Sequence, residues 1–239
     1  MLVTDATPSP YDIRFFLWGY PVRIAPWFWL LIGFLGWNLS DNDIVKLLTF
    51  MGCAAASLLL HEFGHGWSAR IAGCQPVEIA LVSLGGYCRY VPLSPLSRWQ
   101  RVAISACGPL MNFLIAAICF PIVFGLVLNN AGQEESLLIW ALGILFTINI
   151  VWGIFNLIPI WPMDGGQIFR EFLTWLSPRK GAEWIHIISI GIAAVLAALI
   201  VGSDPRGYGL TLLILALLIF DNWQMYQIVR GGYQFHQDN

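Results

Sequence analysis

Six stretches of the chain, each about 17 residues or longer, contain almost no charged side chains. Only 11% of the 239 residues are charged, against roughly 25% in an ordinary soluble domain. In hydrocarbon each segment must satisfy its own backbone hydrogen bonds, which restricts such stretches to helices. The sequence therefore predicts an all-α polytopic membrane protein with about six spans. These are Ile24–Ser40, Leu47–Ala69, Val102–Leu128, Leu137–Ile158, Trp184–Val201 and Gly209–Val229.

The second span contains the segment His61-Glu62-Phe63-Gly64-His65. An ionisable side chain near the centre of a membrane helix costs roughly 2.5–3.5 kcal/mol, and a bound metal ion would offset that cost. Residues i and i+4 lie on one face of a helix, so His61 and His65 can bind a single ion. The spacing predicts a zinc site in which Glu62 acts as the general base.

A catalytic zinc site usually has three protein ligands, and Asp164 is the best candidate for the third. It is the only acidic residue between Glu135 and Glu171. Prolines 159 and 162 before it stop a helix, and Gly165 and Gly166 after it permit a tight turn. In the predicted topology, Asp164 emerges on the same side of the membrane as His65.

These motifs together resemble the site-2 protease family of intramembrane zinc metalloproteases. The resemblance rests on the histidine motif, on Asn156-x-x-Pro159-x-x-Pro162-x-Asp164-Gly165, and on Gly108-Pro109-Leu110-Met111-Asn112. It implies that His61, His65 and Asp164 bind Zn²⁺ and that Glu62 activates the water that attacks the peptide bond. We expect one membrane-embedded domain over residues 1–239, with a motif-bearing core at about 44–172. Spans one, five and six would be peripheral, and no PDZ or other appended domain is expected.

The implied substrate is a transmembrane protein, cleaved in or near its membrane segment by regulated intramembrane proteolysis. For Asn156 we predict a role in holding the substrate backbone, although it could instead cap the fourth helix. Asn112 ranks lower as a substrate or oxyanion contact, because it could provide an interhelical hydrogen bond.

A β-hairpin is predicted between the second and third spans, from the β-prone runs Val77–Ser83 and Tyr87–Val91. Leu84-Gly85-Gly86 lies between them, and a Gly-Gly pair suits a primed hairpin turn. The family carries a hairpin here that dips toward the active site. We expect one edge strand, with Gly85 and Gly86, to bind the unwound substrate by strand addition.

Charge and cysteine content exclude several other classes of protein. The net charge of −2 provides no basic surface for nucleic acid. Five cysteines without a Cys-x-x-Cys pair argue against a disulfide framework. The first 23 residues do not match a cleaved signal peptide. A di-iron desaturase would need about eight histidines, and the chain has four.

The distribution of basic residues predicts the orientation, because short cytoplasmic loops collect Lys and Arg. With six spans and a cytoplasmic N-terminus, ten basic residues face the cytoplasm and only Lys46 and Arg206 face outward. We therefore expect an integral protein of the bacterial cell (inner) membrane, with both termini cytoplasmic and the site nearer the cytoplasmic face.

Two alternatives remain at the level of sequence. A divalent metal transporter would need polar groups along a path to both faces, and the outer halves of the spans are nearly free of them. A catalytically inactive pseudoprotease that binds membrane helices would have no chemical need for Glu62.

Overall fold

The computed structural model describes residues 8–83, 85–129, 136–178, 180–203 and 208–237. They fall into two compact units, one within Asp5–Phe155 and the other within Asn156–Asn239. The first unit combines a sheet with helices, and the regular elements of the second unit are helices in the part that the structure describes.

Five of the described helices are long and apolar enough to cross a membrane. They correspond to the second to sixth predicted spans, and the chain is an integral membrane protein. Their bounds are α2 Ile44–Ile71, α3 Arg98–Asn129, α4 Leu137–Asn156, α6 Gly181–Ser203 and α7 Gly209–Gln237. Two shorter helices are α1 Pro26–Trp37 and α5 Asp164–Leu176.

The first predicted span differs from the structure, because α1 has only 12 residues. At 1.5 Å per residue it is about 18 Å long, less than the roughly 30 Å of a bilayer core. Part of the apolar stretch is used elsewhere: Ile24 ends a β-strand, and Asn38–Ser40 form a 3₁₀ turn. The length of a charge-free stretch does not show that it is divided among a strand, a helix and a 3₁₀ turn.

Helix α2, which carries the two predicted histidine ligands, has defined ends. Asp43 caps its first turn by accepting hydrogen bonds from the backbone N–H groups of Val45 and Lys46, at 2.7 and 3.3 Å. The chain leaves the helix through Gly73, whose φ of +85° favours glycine. The helix therefore begins and ends at positions that the sequence encodes.

The first unit contains a four-stranded sheet in the order β1-β2-β3-β4. The strands are β1 Ile13–Leu17, β2 Tyr20–Ile24, β3 Cys74–Val82 and β4 Gly85–Pro92. Strands β1 and β2 are antiparallel, β2 and β3 are parallel, and β3 and β4 are antiparallel. The predicted β3–β4 hairpin is confirmed, whereas β1 and β2 were not predicted.

The predicted position of the hairpin turn is wrong. Val82 pairs with Gly85, so the turn begins at Ser83, whose φ is +51°. Gly85 and Gly86 belong to β4 instead, and Leu84 lies outside the described residues. The same register makes β3 an inner strand, so the edge strands of the described sheet are β1 and β4.

A buried ion network links β2, β3 and β4 to Asp12, which directly precedes β1. The Arg23 guanidinium, only 4% exposed, lies 3.2 Å from an Asp12 carboxylate oxygen and 3.1 Å from one of Glu78. It also donates to the Tyr87 hydroxyl, which in turn donates to Glu78. Burial and this bond to Glu78 raise the pKa of Tyr87. Below this network, buried side chains of β2 and β3 pack on α1 and α2.

In the second unit, α5, α6 and α7 pack on the segment that precedes α5. Its core contains Ile160 from that segment, Ala193 from α6, and Leu215 and Leu218 from α7. Helix α5 was not predicted, because the Gly-Gly pair at its start indicated a turn.

Candidate active site

His61 and His65 lie on one face of α2, and their Nε2 atoms are 3.0 Å apart. Both residues are buried, at 3% and 8% exposure. The His61 Nδ1 lies 2.6 Å from the Asn112 side-chain oxygen, and the His65 Nδ1 lies 2.7 Å from the Ile104 carbonyl oxygen. The predicted convergence of the two imidazoles is therefore present within this unit.

The two Nδ1 contacts determine the tautomer of each ring. A carbonyl oxygen only accepts, so both Nδ1 atoms must carry the proton that they donate. When the rings are neutral, their Nε2 lone pairs face each other, an arrangement that a bound cation stabilises. Two nitrogens about 2.0–2.1 Å from one tetrahedral zinc ion would be about 3.3 Å apart, close to the observed 3.0 Å. The pair therefore fits zinc.

A chain of buried, hydrogen-bonded polar side chains begins at the Nδ1 atom of His61. Asn112 on α3 donates to the Asn149 side-chain oxygen at 2.8 Å, and Asn149 on α4 donates to the Ser57 hydroxyl at 2.9 Å. Asn112, Asn149 and Ser57 are each 0% exposed. Because Asn112 uses both ends of its amide in this chain, the contacts describe a residue that orients His61. Its predicted contact with substrate remains a prediction.

Asn149 and Ser57 were missed at the level of sequence. Asn149 is a strongly polar residue near the middle of the predominantly apolar fourth span, and this signal could have identified it. Residues that hydrogen-bond to the other nitrogen of a metal-binding imidazole commonly fix the orientation of its ring.

Glycines allow the neighbouring elements to approach the motif. A Cβ at Gly108 of α3 would overlap the His65 ring and would lie 2.8 Å from His61 Cε1. A Cβ at Gly64 would overlap the Cys107 carbonyl oxygen of α3. The glycine in the Gly-Pro-x-x-Asn motif therefore makes room for the imidazoles.

Glu62 is buried at 5% exposure and lies against β4. A Cβ at Gly86 would lie 2.8 Å from both Cγ and Oε1 of Glu62, whereas one at Gly85 would meet only the Trp152 ring, at 3.9 Å. Burial, together with the nearby Glu62, raises the pKa of the Cys88 thiol to about 12. The hairpin therefore approaches the predicted general base through Gly86 and not through Gly85.

The remaining predicted residues belong to the second unit. Asp164 is the first residue of α5 and is buried at 6% exposure. Gly165 and Gly166 follow it, and a Cβ on either would overlap the backbone of the preceding segment, at Leu157 or Ile160. Asn156 is the last residue of α4. The roles of Asp164 as a ligand and of Asn156 as a substrate contact stay predictions.

Comparison with known proteins identifies the family. The model of peptidase family M50 matches residues 49–137 and 127–200. A zinc metalloprotease of Methanocaldococcus jannaschii is 28% identical over 215 residues, which cover 88% of this chain and 59% of that protein. Rip3 of Mycobacterium tuberculosis is 30% identical over 183 residues, covering 70% of this chain and 42% of Rip3. The chain belongs to peptidase family M50, in agreement with the family resemblance of its motifs.

The fold agrees with this assignment. The solved structure of the site-2 protease from Methanocaldococcus jannaschii has a TM-score of 0.60 to this chain and is 24% identical to it. The similarity covers 90% of this chain and 95% of that one. The chain spans about half the length of the curated relatives that it matches.

Proposed function

We propose that the chain is a zinc-dependent endopeptidase that cleaves a peptide bond in or near a transmembrane segment of a membrane protein. The observation that carries this proposal is the buried pair of imidazoles, with Nε2 atoms 3.0 Å apart and with Nδ1 protons committed elsewhere. A zinc ion, when bound, would activate water and polarise the scissile carbonyl. Family membership supports a protease over a metal transporter.

We assign three ligands to the ion: His61, His65 and Asp164. Each is buried and offers one ligand atom of a type that zinc prefers in proteins. Burial supports this assignment because an ionised carboxylate in a membrane protein interior is costly unless it is compensated. Replacement of Asp164 by Ala should abolish stoichiometric zinc binding.

Glu62 is the proposed general base. It takes a proton from the attacking water and returns it to the leaving amine. Its buried position against Gly86 supports this role, because a carboxylate shielded from bulk water transfers protons to a bound partner instead of to solvent.

The substrate must be extended before it is cut, because a helix keeps its peptide bonds within its own hydrogen-bond ladder. We propose that β4 binds the unwound substrate by strand addition, and that Asn156 holds the substrate backbone. Ile79 and Leu81 lie on the inner strand β3 and are fully buried. Proline substitutions that test strand addition should therefore be made on the edge strand β4, one at a time from 87 to 91. Along β4 the backbone N–H groups point alternately toward β3 and toward the open edge of the sheet. Prolines at the positions whose N–H groups point toward the open edge should abolish cleavage and leave zinc bound.

The decisive experiment measures zinc content and cleavage of a model membrane-helix substrate by the wild type and by Glu62→Gln. We expect the variant to retain stoichiometric zinc and to lose turnover. If the variant and the wild type cleave at equal rates, Glu62 has no part in the reaction. If the wild type binds zinc and the substrate but does not cleave it, the chain is a pseudoprotease.

The remaining proposals concern the setting of the reaction. We propose that the protein acts in the bacterial inner membrane, that both termini are cytoplasmic, and that the site lies nearer the cytoplasmic face. We further propose that cleavage serves regulated intramembrane proteolysis, in which a cytoplasmic fragment of the substrate is released. Labelling of engineered cysteines by a membrane-impermeant thiol reagent tests the orientation.

A further inference from the structure

In the segment between α4 and α5, side chains from two other helices bind both backbone groups of Trp161. The Trp161 N–H donates to the Ser189 hydroxyl of α6 at 2.9 Å. The Trp161 carbonyl accepts from the Asn222 side-chain amide of α7 at 2.6 Å. Non-helical backbone in a membrane protein must find such partners, and here two helices supply one each.

The polarity of both side chains is fixed by further bonds. Ser189 donates its own hydrogen to the Ile185 carbonyl at 2.6 Å, so its oxygen is left to accept from Trp161. The Asn222 amide nitrogen donates to the Leu218 carbonyl as well as to that of Trp161. The Asn222 oxygen must therefore accept, and the His186 Nδ1 lies 2.9 Å from it.

The three side chains are deeply buried. Ser189 is 0% exposed, Asn222 is 1% exposed and His186 is 3% exposed. The His186 ring also meets the Trp161 ring edge to face, with the ring centroids 5.9 Å apart. Polar groups this deeply buried are costly unless they are fully hydrogen-bonded, so the arrangement has little freedom to move.

Two local hydrogen bonds, one between backbone groups and one from a side chain, connect the Trp161 region to the start of α5. The Met163 N–H donates to the Ile160 carbonyl, and the Gln167 side chain donates to the Pro162 carbonyl, at 2.9 and 3.2 Å. Ile160 is 1% exposed and packs in the core between α6 and α7. The first turn of α5 is therefore held in register with Trp161.

We propose that His186, Ser189 and Asn222 are positioning residues that fix the Asp164 carboxylate for metal binding. This inference rests on the proposed function in one respect, the assignment of Asp164 as a ligand. It gives α6 and α7 a role in the metal site, although neither helix carries a predicted ligand.

The test is the zinc affinity of the metal-depleted full-length protein in detergent, measured by competition with a chelator. Ser189→Ala and Asn222→Ala should each lower the affinity about tenfold, the scale on which supporting residues act at metal sites. Ser189→Thr retains the hydroxyl and should restore the affinity. If Asn222→Ala does not fold, the Ser189 pair still decides the question.

A matched control separates positioning from general loss of stability. Ile185 is fully buried in α6 but contributes only its backbone carbonyl to the arrangement. Ile185→Ala should lower the Tm at least as much as Ser189→Ala, yet keep the zinc affinity within about twofold of the wild type, since the bonds to Trp161 remain.

Three results have distinct meanings. Unchanged affinity in Ser189→Ala and Asn222→Ala, or an equal loss in Ile185→Ala, overturns the positioning role. If Asp164→Ala loses zinc while the two positioning variants keep it, the proposed function stands and only this inference fails. If Asp164→Ala keeps wild-type affinity, the ligand assignment itself is wrong.

Discussion

Replacing Gly108 with alanine should disable the metal site with little effect on the fold. Gly108 lies in α3 directly beside the imidazoles of α2. The added Cβ would be 2.8 Å from His61 Cε1 and would overlap the His65 ring. Ordinary carbon contacts are about 3.5–4.0 Å, so the His61 ring must move by about 0.7 Å or more. The His65 ring must move farther.

The expected loss follows from the tolerance of zinc coordination. Ligand distances at a metal site are held to within about 0.2 Å, so displacements several times larger should weaken binding by at least 10–100-fold. Crowding a packed interface typically costs about 1–3 kcal/mol, and the gain in helix propensity from Gly to Ala offsets up to about 1 kcal/mol. The expected loss of zinc affinity corresponds to about 1.4–2.7 kcal/mol or more, which is similar to or larger than the net loss of stability of about 0–3 kcal/mol, so both quantities must be measured.

The assay pairs chelator competition for zinc with thermal unfolding in detergent. Gly125→Ala is the matched control, because it is the same substitution in the same helix and its Cβ would have no neighbour within 4 Å among the described residues. The control should bind zinc like the wild type. Wild-type zinc affinity in Gly108→Ala would refute the reasoning, because it would show that the imidazoles are not confined by α3.

Three further predictions concern the sheet. Gly86→Ala should lower kcat and keep zinc, because its Cβ would lie 2.8 Å from the Glu62 carboxylate, and Gly85→Ala should change neither, because its nearest neighbour is 3.9 Å away; steady-state kinetics with metal analysis measures both. Arg23→Met should destabilise the protein by about 1–3 kcal/mol, because Asp12 and Glu78 lose their shortest charged partner and keep Arg14 and Arg89 only at 3.7 and 3.5 Å; an unchanged Tm would contradict this. Cys88 should resist iodoacetamide at pH 8 in the folded protein, because with a pKa of about 12 only on the order of one thiol in ten thousand is ionised; mass spectrometry detects the adduct.

The long helices and the histidine motif could be predicted because their signals are local. Charge-free length defines a membrane helix, and the spacing of His61 and His65 places them on one helical face. The β3–β4 hairpin follows for the same reason, since its strands are neighbours in sequence. The parallel pair of β2 and β3 joins residues more than fifty positions apart, and no local pattern indicates such a pairing.

The supporting contacts could not be predicted because a membrane helix is apolar on all sides. Nothing in the α3 sequence shows that Gly108 faces the imidazoles while Gly125 faces open space. Likewise, the chain from His61 through Asn112 to Asn149 depends on how three helices are rotated about their axes. Sequence shows which polar residues lie in the spans, and packing decides which of them meet.

The short helix α1 does not alter the predicted orientation, because the sheet fixes the side of the membrane on which β1 and β2 lie. Strand β2 pairs with β3, and the Arg23 guanidinium lies 3.1 Å from Glu78. Arg14 and Arg23 therefore lie on the same side as β3, which follows the end of α2 that carries His65. The basic residues keep their division of ten against two, and the predicted cytoplasmic location of the site depends only on the direction of α2.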